Sequence, residues 1–171
     1  MPDLATQLDF AARLIVAAAL GGLVGAEREI HGHPAGIRTH MLVALGSALF
    51  TVMSIHGFGQ GSGSGIDPTR IVAQIVTGIG FLGAGVIFRE GYTVRGITTA
   101  ATIWSAAAVG MAVGRELYLA AGLGSLLIFL LLEARPVVRR MDNFVGTLLL
   151  GLKAHEDTER EDAAEGRGKD E

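Results

Sequence analysis

The stretch that most constrains this chain is Ile71 to Phe88, IVAQIVTGIGFLGAGVIF, eighteen residues without a charge in which Gln74 and Thr77 are the clearly polar side chains. As an α-helix it runs about 27 Å, close to the thickness of a bilayer's hydrocarbon core, so it reads as a membrane span. Gly78, Gly80, Gly83 and Gly85 cluster inside it. Glycines at that density weaken a helix in water, but in lipid they let helix backbones approach closely. The pattern predicts a packing helix at the centre of a bundle. Gly78, Gly80 and Gly83 also spell GxGxxG, a dinucleotide fingerprint that requires a strand before it, a helix after it and an acid about twenty residues on. Here the apolar run continues straight through the glycines, and the residue twenty beyond Gly83 is Ile103. The packing reading prevails.

Half of the 171 residues are apolar and the mean hydropathy is +0.45, high for a soluble domain. Many of the charges fall after Leu132, so the net charge of -3 is largely a property of the tail and carries no sign of nucleic-acid binding. The absence of cysteine excludes a disulfide framework, a thiol nucleophile and a Cys-ligated metal.

The remaining apolar runs complete an all-α membrane protein. Five spans are expected, at about residues 10–26, 39–55, 71–88, 98–113 and 117–132, forming a five-helix transmembrane bundle over residues 1–132. The start lacks the positive front end of a secretory signal, so the first span reads as uncleaved. Asp9 and Arg13, four apart with the acid first, suit a helical ion pair at the membrane edge with Arg13 snorkelling outward. Gly57 to Gly65 is mostly Gly and Ser and reads as a flexible loop; Asp67-Pro68 then signals a helix start, with Asp67 as N-cap. A short turn carrying Arg89, Glu90 and Arg95 leads to the fourth span, where Ala106, Gly110 and Gly114 fall four apart and Trp104 lies away from the usual interfacial position. Residues 133–152 form a juxtamembrane segment whose VGTLLLGL is too short to span, and residues 153–171 form a charged tail expected to be disordered.

Five spans place Arg28, Arg38, Arg89, Arg95 and the Arg135, Arg139, Arg140 group on one side, with Arg70 and Arg115 in the loops of the other. By the positive-inside rule the first side is cytoplasmic, with the N-terminus outside and the C-terminus inside. Spans one and two echo spans three and four, each pair having glycines near the inner end, a charged turn and an Arg before the second helix; this would be a parallel repeat. If the two hairpins pack side by side, Glu27, Arg28, Glu29, Arg38, His40, Arg89, Glu90 and Arg95 meet at the inner mouth. Charges there are costly unless paired, which makes acid-base pairing the first explanation and a partner or ion site the second.

His31-Gly32-His33 is an HxH pattern near Glu27 and Glu29, although short loops of this kind usually ligate nothing. Mg²⁺ prefers oxygen, and its candidates are Asp67 on one side and Glu27, Glu29 and Glu90 on the other, none in a recognisable cage. No Ser/His/Asp or HExxH arrangement appears, so neither an enzyme nor a bound cofactor is expected.

Four stretches carry a family resemblance: GGLVGAERE (Gly21 to Glu29), PAGIRTHMLVALGSALF (Pro34 to Phe50), DPTRIVAQIVTGIGFLGAGVIFREG (Asp67 to Gly91) and VRGITTAATIWSAAAVGMAVG (Val94 to Gly114). Together they resemble the MgtC/SapB family of bacterial inner-membrane proteins. The resemblance implies a five-span bundle with a cytoplasmic C-terminus and marks Glu27, Arg28, Arg38, His40, Asp67, Arg70, Gln74, Arg95 and Thr99 as the polar motif positions. It also implies a role in growth at low magnesium and in survival of pathogens inside macrophages, exerted on other membrane machinery such as ATP synthase. Several members carry a cytosolic ACT-like domain after the fifth span, and the residues here after Leu132 are too few and too polar to fold one. Two functions remain open: a non-enzymatic protein acting on membrane partners through helix contacts, probed by Gly83→Leu, or a small oligomeric transporter or channel passing an ion through a Gly-lined centre. A transporter needs polar groups at mid-membrane, and Gln74, Thr77 and Thr102 are the candidates.

Overall fold

The computed structural model describes residues 2–57, 67 and 69–134. Its elements run α1 (Leu4–Ile30), α2 (Ile37–His56), α3 (Thr69–Val86), a hairpin of β1 (Phe88–Glu90) and β2 (Thr93–Arg95), α4 (Ile97–Gly114) and α5 (Tyr118–Glu133). Residues up to Leu132 form one compact unit, to which everything below refers. The expected tail, beyond Ala134, and the expected Gly/Ser loop, beyond Gly57, lie outside the described residues.

Helices α1 to α4 are each long and apolar enough to cross a membrane, and α5 is apolar but shorter, at 16 residues. The chain is therefore an all-α bundle with four to five membrane-spanning helices. α1 begins at Leu4, several residues before the expected span, because Asp3 Oδ1 accepts from the Thr6 N–H at 2.9 Å and caps a polar first turn. The turn expected between the third and fourth spans is a β-hairpin, with Phe88 opposite Arg95 and Glu90 opposite Thr93. Gly96 closes it at φ +89, and a Cβ there would stand 1.9 Å from the Val86 carbonyl oxygen, so no other residue allows the chain to return onto α4.

The glycines that lie closest to a neighbouring helix are outside α3. α2 is gripped between two glycine pairs at helical i, i+4 spacing, Gly21 and Gly25 of α1 and Gly110 and Gly114 of α4. A Cβ on Gly21 would lie 2.5 Å from the His40 carbonyl oxygen and 2.7 Å from Ala44 Cβ; one on Gly25 would lie 2.7 Å from Ile37 Cα. A Cβ on Gly110 would lie 2.1 Å from the Ala44 carbonyl oxygen, and one on Gly114 would lie 2.8 Å from Thr51 Cβ. Ala44 is thus the point where three helices meet, and it is fully buried. Small neighbours extend the contact: Ala17, Ala48, Val109, Val113 and Ala121 form one apolar cluster.

The central position expected for α3 belongs to α4. Of the spanning window of α4, 56% is buried, against 17% for α3. α3 touches the bundle along Ile75, Ile79 and Gly83, an i, i+4, i+8 stripe. A Cβ on Gly83 would rest 3.6 Å from Ala100, while Gly78, Gly80 and Gly85 have nothing within 4 Å among the described residues. Glycine density alone does not place a helix: α4 is central because it packs against α1 and α2, far away in sequence, as well as against α3. Gly83→Leu would therefore disturb α3 against α4 and is unsuited to probing an outside partner.

Candidate functional site

One end of the bundle gathers the last turn of α1 and the first turns of α2 and α4. α1 stops there because Gly32, at φ +69, ends it in a Schellman turn: the His33 N–H reaches the Arg28 carbonyl at 2.9 Å and the Gly32 N–H reaches that of Glu29 at 3.0 Å. Glu29 then folds over the start of α2, its Oε2 accepting from the Ile37 N–H at 2.8 Å. The N-cap residue Gly36 supplies no side-chain bond, so Glu29 satisfies an amide left open at the helix end.

Inside this end lie Glu27 and Arg28, each 1% exposed, with Thr99 at 3% and His40 fully buried. Arg28 Nη1 stands 3.6 Å from Glu27 Oε2, and Arg28 Nη2 donates to Thr99 Oγ1 at 3.5 Å. The arginine of the first helical hairpin is therefore tied to the threonine of the second. His31 Nδ1 lies 3.2 Å from Glu27 Oε1 and 2.8 Å from the Glu27 carbonyl oxygen. His40 Nδ1 is 2.9 Å from the Gly36 carbonyl. A carbonyl only accepts, so Nδ1 carries the proton and Nε2 presents a lone pair, buried and without a hydrogen bond among the described residues. Taking a carboxylate and a guanidinium out of water costs several kcal/mol per ion unless each is compensated, so this cluster is held together by mutual need.

The opposite end holds a second ionic cluster. Arg13 was expected to snorkel outward from the membrane edge; it is buried, paired with Asp9 and, at 2.8 Å, with Glu116 Oε1, and its Nη1 donates to the Gly114 carbonyl at 3.3 Å. Glu116 sits in the left-handed region at φ 69, as the residue after the α4 C-cap in a second Schellman turn, its N–H donating to the Val113 carbonyl at 3.0 Å. Arg13 turns inward because the α4 terminus offers it both a carboxylate and free carbonyl oxygens.

Of the sequence-derived polar positions, the structure brings together Glu27, Arg28, His40 and Thr99. Arg38 and Arg70 are exposed, Arg95 is an exposed partner of Glu90 at 2.8 Å, and Gln74 is exposed on α3. Of the eight inner residues expected to meet, Glu27, Arg28 and His40 are buried together, and Arg38, Arg89, Glu90 and Arg95 are exposed. Asp67 makes the contact of a helix start: its Oδ1 accepts from the Thr69 hydroxyl at 2.7 Å and from the Thr69 N–H at 2.8 Å. These two bonds hold the Asp67 carboxyl below its ordinary value. A lowered value means stabilisation present above the unfolded-state pKa and lost as pH falls through the folded one. Thr69→Val is expected to move the Asp67 titration upward, with a smaller acid-side shift of stability, as read by NMR of the labelled carboxyl in micelles. The sequence reading missed Gly21 and Gly25, although their spacing repeats that of Gly110 and Gly114, and it missed the partnership of Arg13 with Glu116, which no local spacing announces.

The chain is similar to several known proteins. The chain is 46% identical over 128 residues to YhiD of Escherichia coli K12, covering 73% of this chain and 60% of the relative. It is 44% identical over 157 residues to MgtC of Brucella abortus 2308, covering 87% and 64%, and 52% identical over 101 residues to MgtC of Salmonella typhimurium 14028s, covering 59% and 41%. The chain thus spans less than two thirds of the length of these curated relatives. No solved structure matches it. The MgtC family model matches residues 14–141, taking in the glycine pairs and the whole Glu27, Arg28, His40 and Thr99 cluster. The chain belongs to the MgtC family, as a multi-pass protein of the inner membrane.

Proposed function

We propose that this protein acts through helix contacts on other inner-membrane machinery, a transporter or the ATP synthase, in adaptation to low magnesium or related stress, with the N-terminus outside and the C-terminus cytoplasmic. The observation that carries this reading is where the polar groups lie. Glu27, Arg28, His40 and Thr99 are sealed at 0–3% exposure, while Gln74 and Thr77 face outward on α3. A conduction path needs polar groups lining a water-filled route, whereas groups turned toward lipid suit contact with another protein.

The second reading is ion transport, with Mg²⁺ as cargo, and it is favoured by one specific observation: the name of the Escherichia coli relative proposes magnesium transport. Purified protein in liposomes loaded with a Mg²⁺ dye separates the two. The contact reading predicts no flux above empty liposomes; flux abolished by Gln74→Ala or Asp67→Ala would overturn it.

A further inference from the structure

We infer that the outward face of α3 pairs with the same face of a second copy of this chain, about a twofold axis along the membrane normal, with Gln74 hydrogen-bonded to the partner's Gln74. It rests on the same outward-facing Gln74 as the contact reading above and assigns that residue a second copy of the chain as its neighbour.

Exposed apolar surface alone says little in a membrane, because lipid covers it as well as protein does. Gln74 is different. It lies five residues into an 18-residue spanning helix, so about 8 Å inside it, and its side-chain amide makes no hydrogen bond among the described residues. Its amide offers two donors and an acceptor oxygen, and hydrocarbon offers nothing in return. A neighbour with both functions on one group satisfies it best, and an identical glutamine at the same depth is such a neighbour. Two copies inserted the same way are related by an axis normal to the membrane, which brings equal residues of parallel helices to equal depth.

The surroundings of Gln74 fit that symmetry. Below it on the same face are Gly78 and Gly85, each with nothing within 4 Å, so a second backbone can come close. Phe81, 81% exposed, stands about 60° to one side of Gly78 on the helical wheel. To the other side, from about 40°, opens a groove of about 440 Å³ between α2 and α3, with Leu42, Gly46, Phe50, Gln74, Gly78 and Leu82 among its lining. A twofold axis through the Gln74–Gly78–Gly85 line sets the knob side of one copy against the groove side of the other, twice. Each Phe81 then enters the partner's groove at matching depth. A lipid chain can fill the groove, but it leaves the amide unanswered.

The chain has no cysteine, which makes single-cysteine cross-linking direct. Full-length Gln74→Cys and Gly85→Cys in native membranes are expected to oxidise to a species of twice the chain mass. Val76→Cys, also exposed but on the far side of α3, is expected not to. With folding checked by circular dichroism, Gln74→Leu is expected to weaken dimerisation roughly 3- to 30-fold in a dilution series followed by fluorescence transfer, the range of one interhelical polar pair. Cross-linking equal at positions 74 and 76, a product of another mass, or a Gln74→Leu dimer as tight as wild type would each overturn the proposal.

Discussion

Gly110→Ala is expected to destabilise the bundle by about 3 kcal/mol, at the upper end of what an added methyl group costs in a packed core. The methyl would stand 2.1 Å from the Ala44 carbonyl oxygen and 2.9 Å from Ala44 Cα. Both are backbone, so relief requires α2 and α4 to separate. Separation is resisted from the far side, because Ala44 is also held by Gly21 of α1. Gly78→Ala, on a helix richer in glycine, is expected to leave the monomer at least as stable as wild type, since nothing among the described residues lies within 4 Å of the new methyl and Ala favours the helix. Reversible unfolding in mixed micelles compares the two. Equal losses would contradict contact with α2 as the cause, because helix propensity favours Ala over Gly at both positions.

Arg28→Ala is expected to cost about 3 to 5 kcal/mol, because it leaves the Glu27 carboxylate buried beside a deleted partner. Glu27→Gln combined with Arg28→Met should be less destabilising than Arg28→Ala alone, since replacing both members of a buried pair removes the uncompensated charge. The same unfolding assay reads both variants. If the double variant is stable and still supports growth at low magnesium, the cluster is a structural joint between the two hairpins; if it is stable and inactive, the charges serve function directly. Arg38→Ala, at an exposed position, is expected to leave stability within about 0.5 kcal/mol of wild type.

The spans were legible because a membrane helix is apolar over most of its length, although the third one runs from Thr69 to Val86 and Phe88 already belongs to β1. The small-residue spacing of Gly110 and Gly114 was legible for the same local reason. What α3 does was not. Its four glycines were read as the centre of the bundle, but which helix is central depends on contacts between segments far apart in sequence, such as Arg28 with Thr99. In the candidate site, Glu27, Arg28 and His40 were legible as charges too costly to leave unpaired near a helix end. Arg38 and Arg95 sit in equally charged turns and stay exposed, and the sequence could not separate the two groups. Gly25 admits the start of α2 against α1, which brings His40 into the buried end, and Arg38 on the same turn stays exposed.

The most direct test of the account is a through-space solid-state NMR measurement, in bilayers, between the Ala44 carbonyl carbon and the Gly110 Cα. Helices in backbone contact at that point predict a strong cross-peak between the two labels, accompanied by one from the Ala44 methyl to the Gly21 Cα. Absence of both, with the chain folded and helical, would contradict the arrangement of α2 between the glycine faces of α1 and α4.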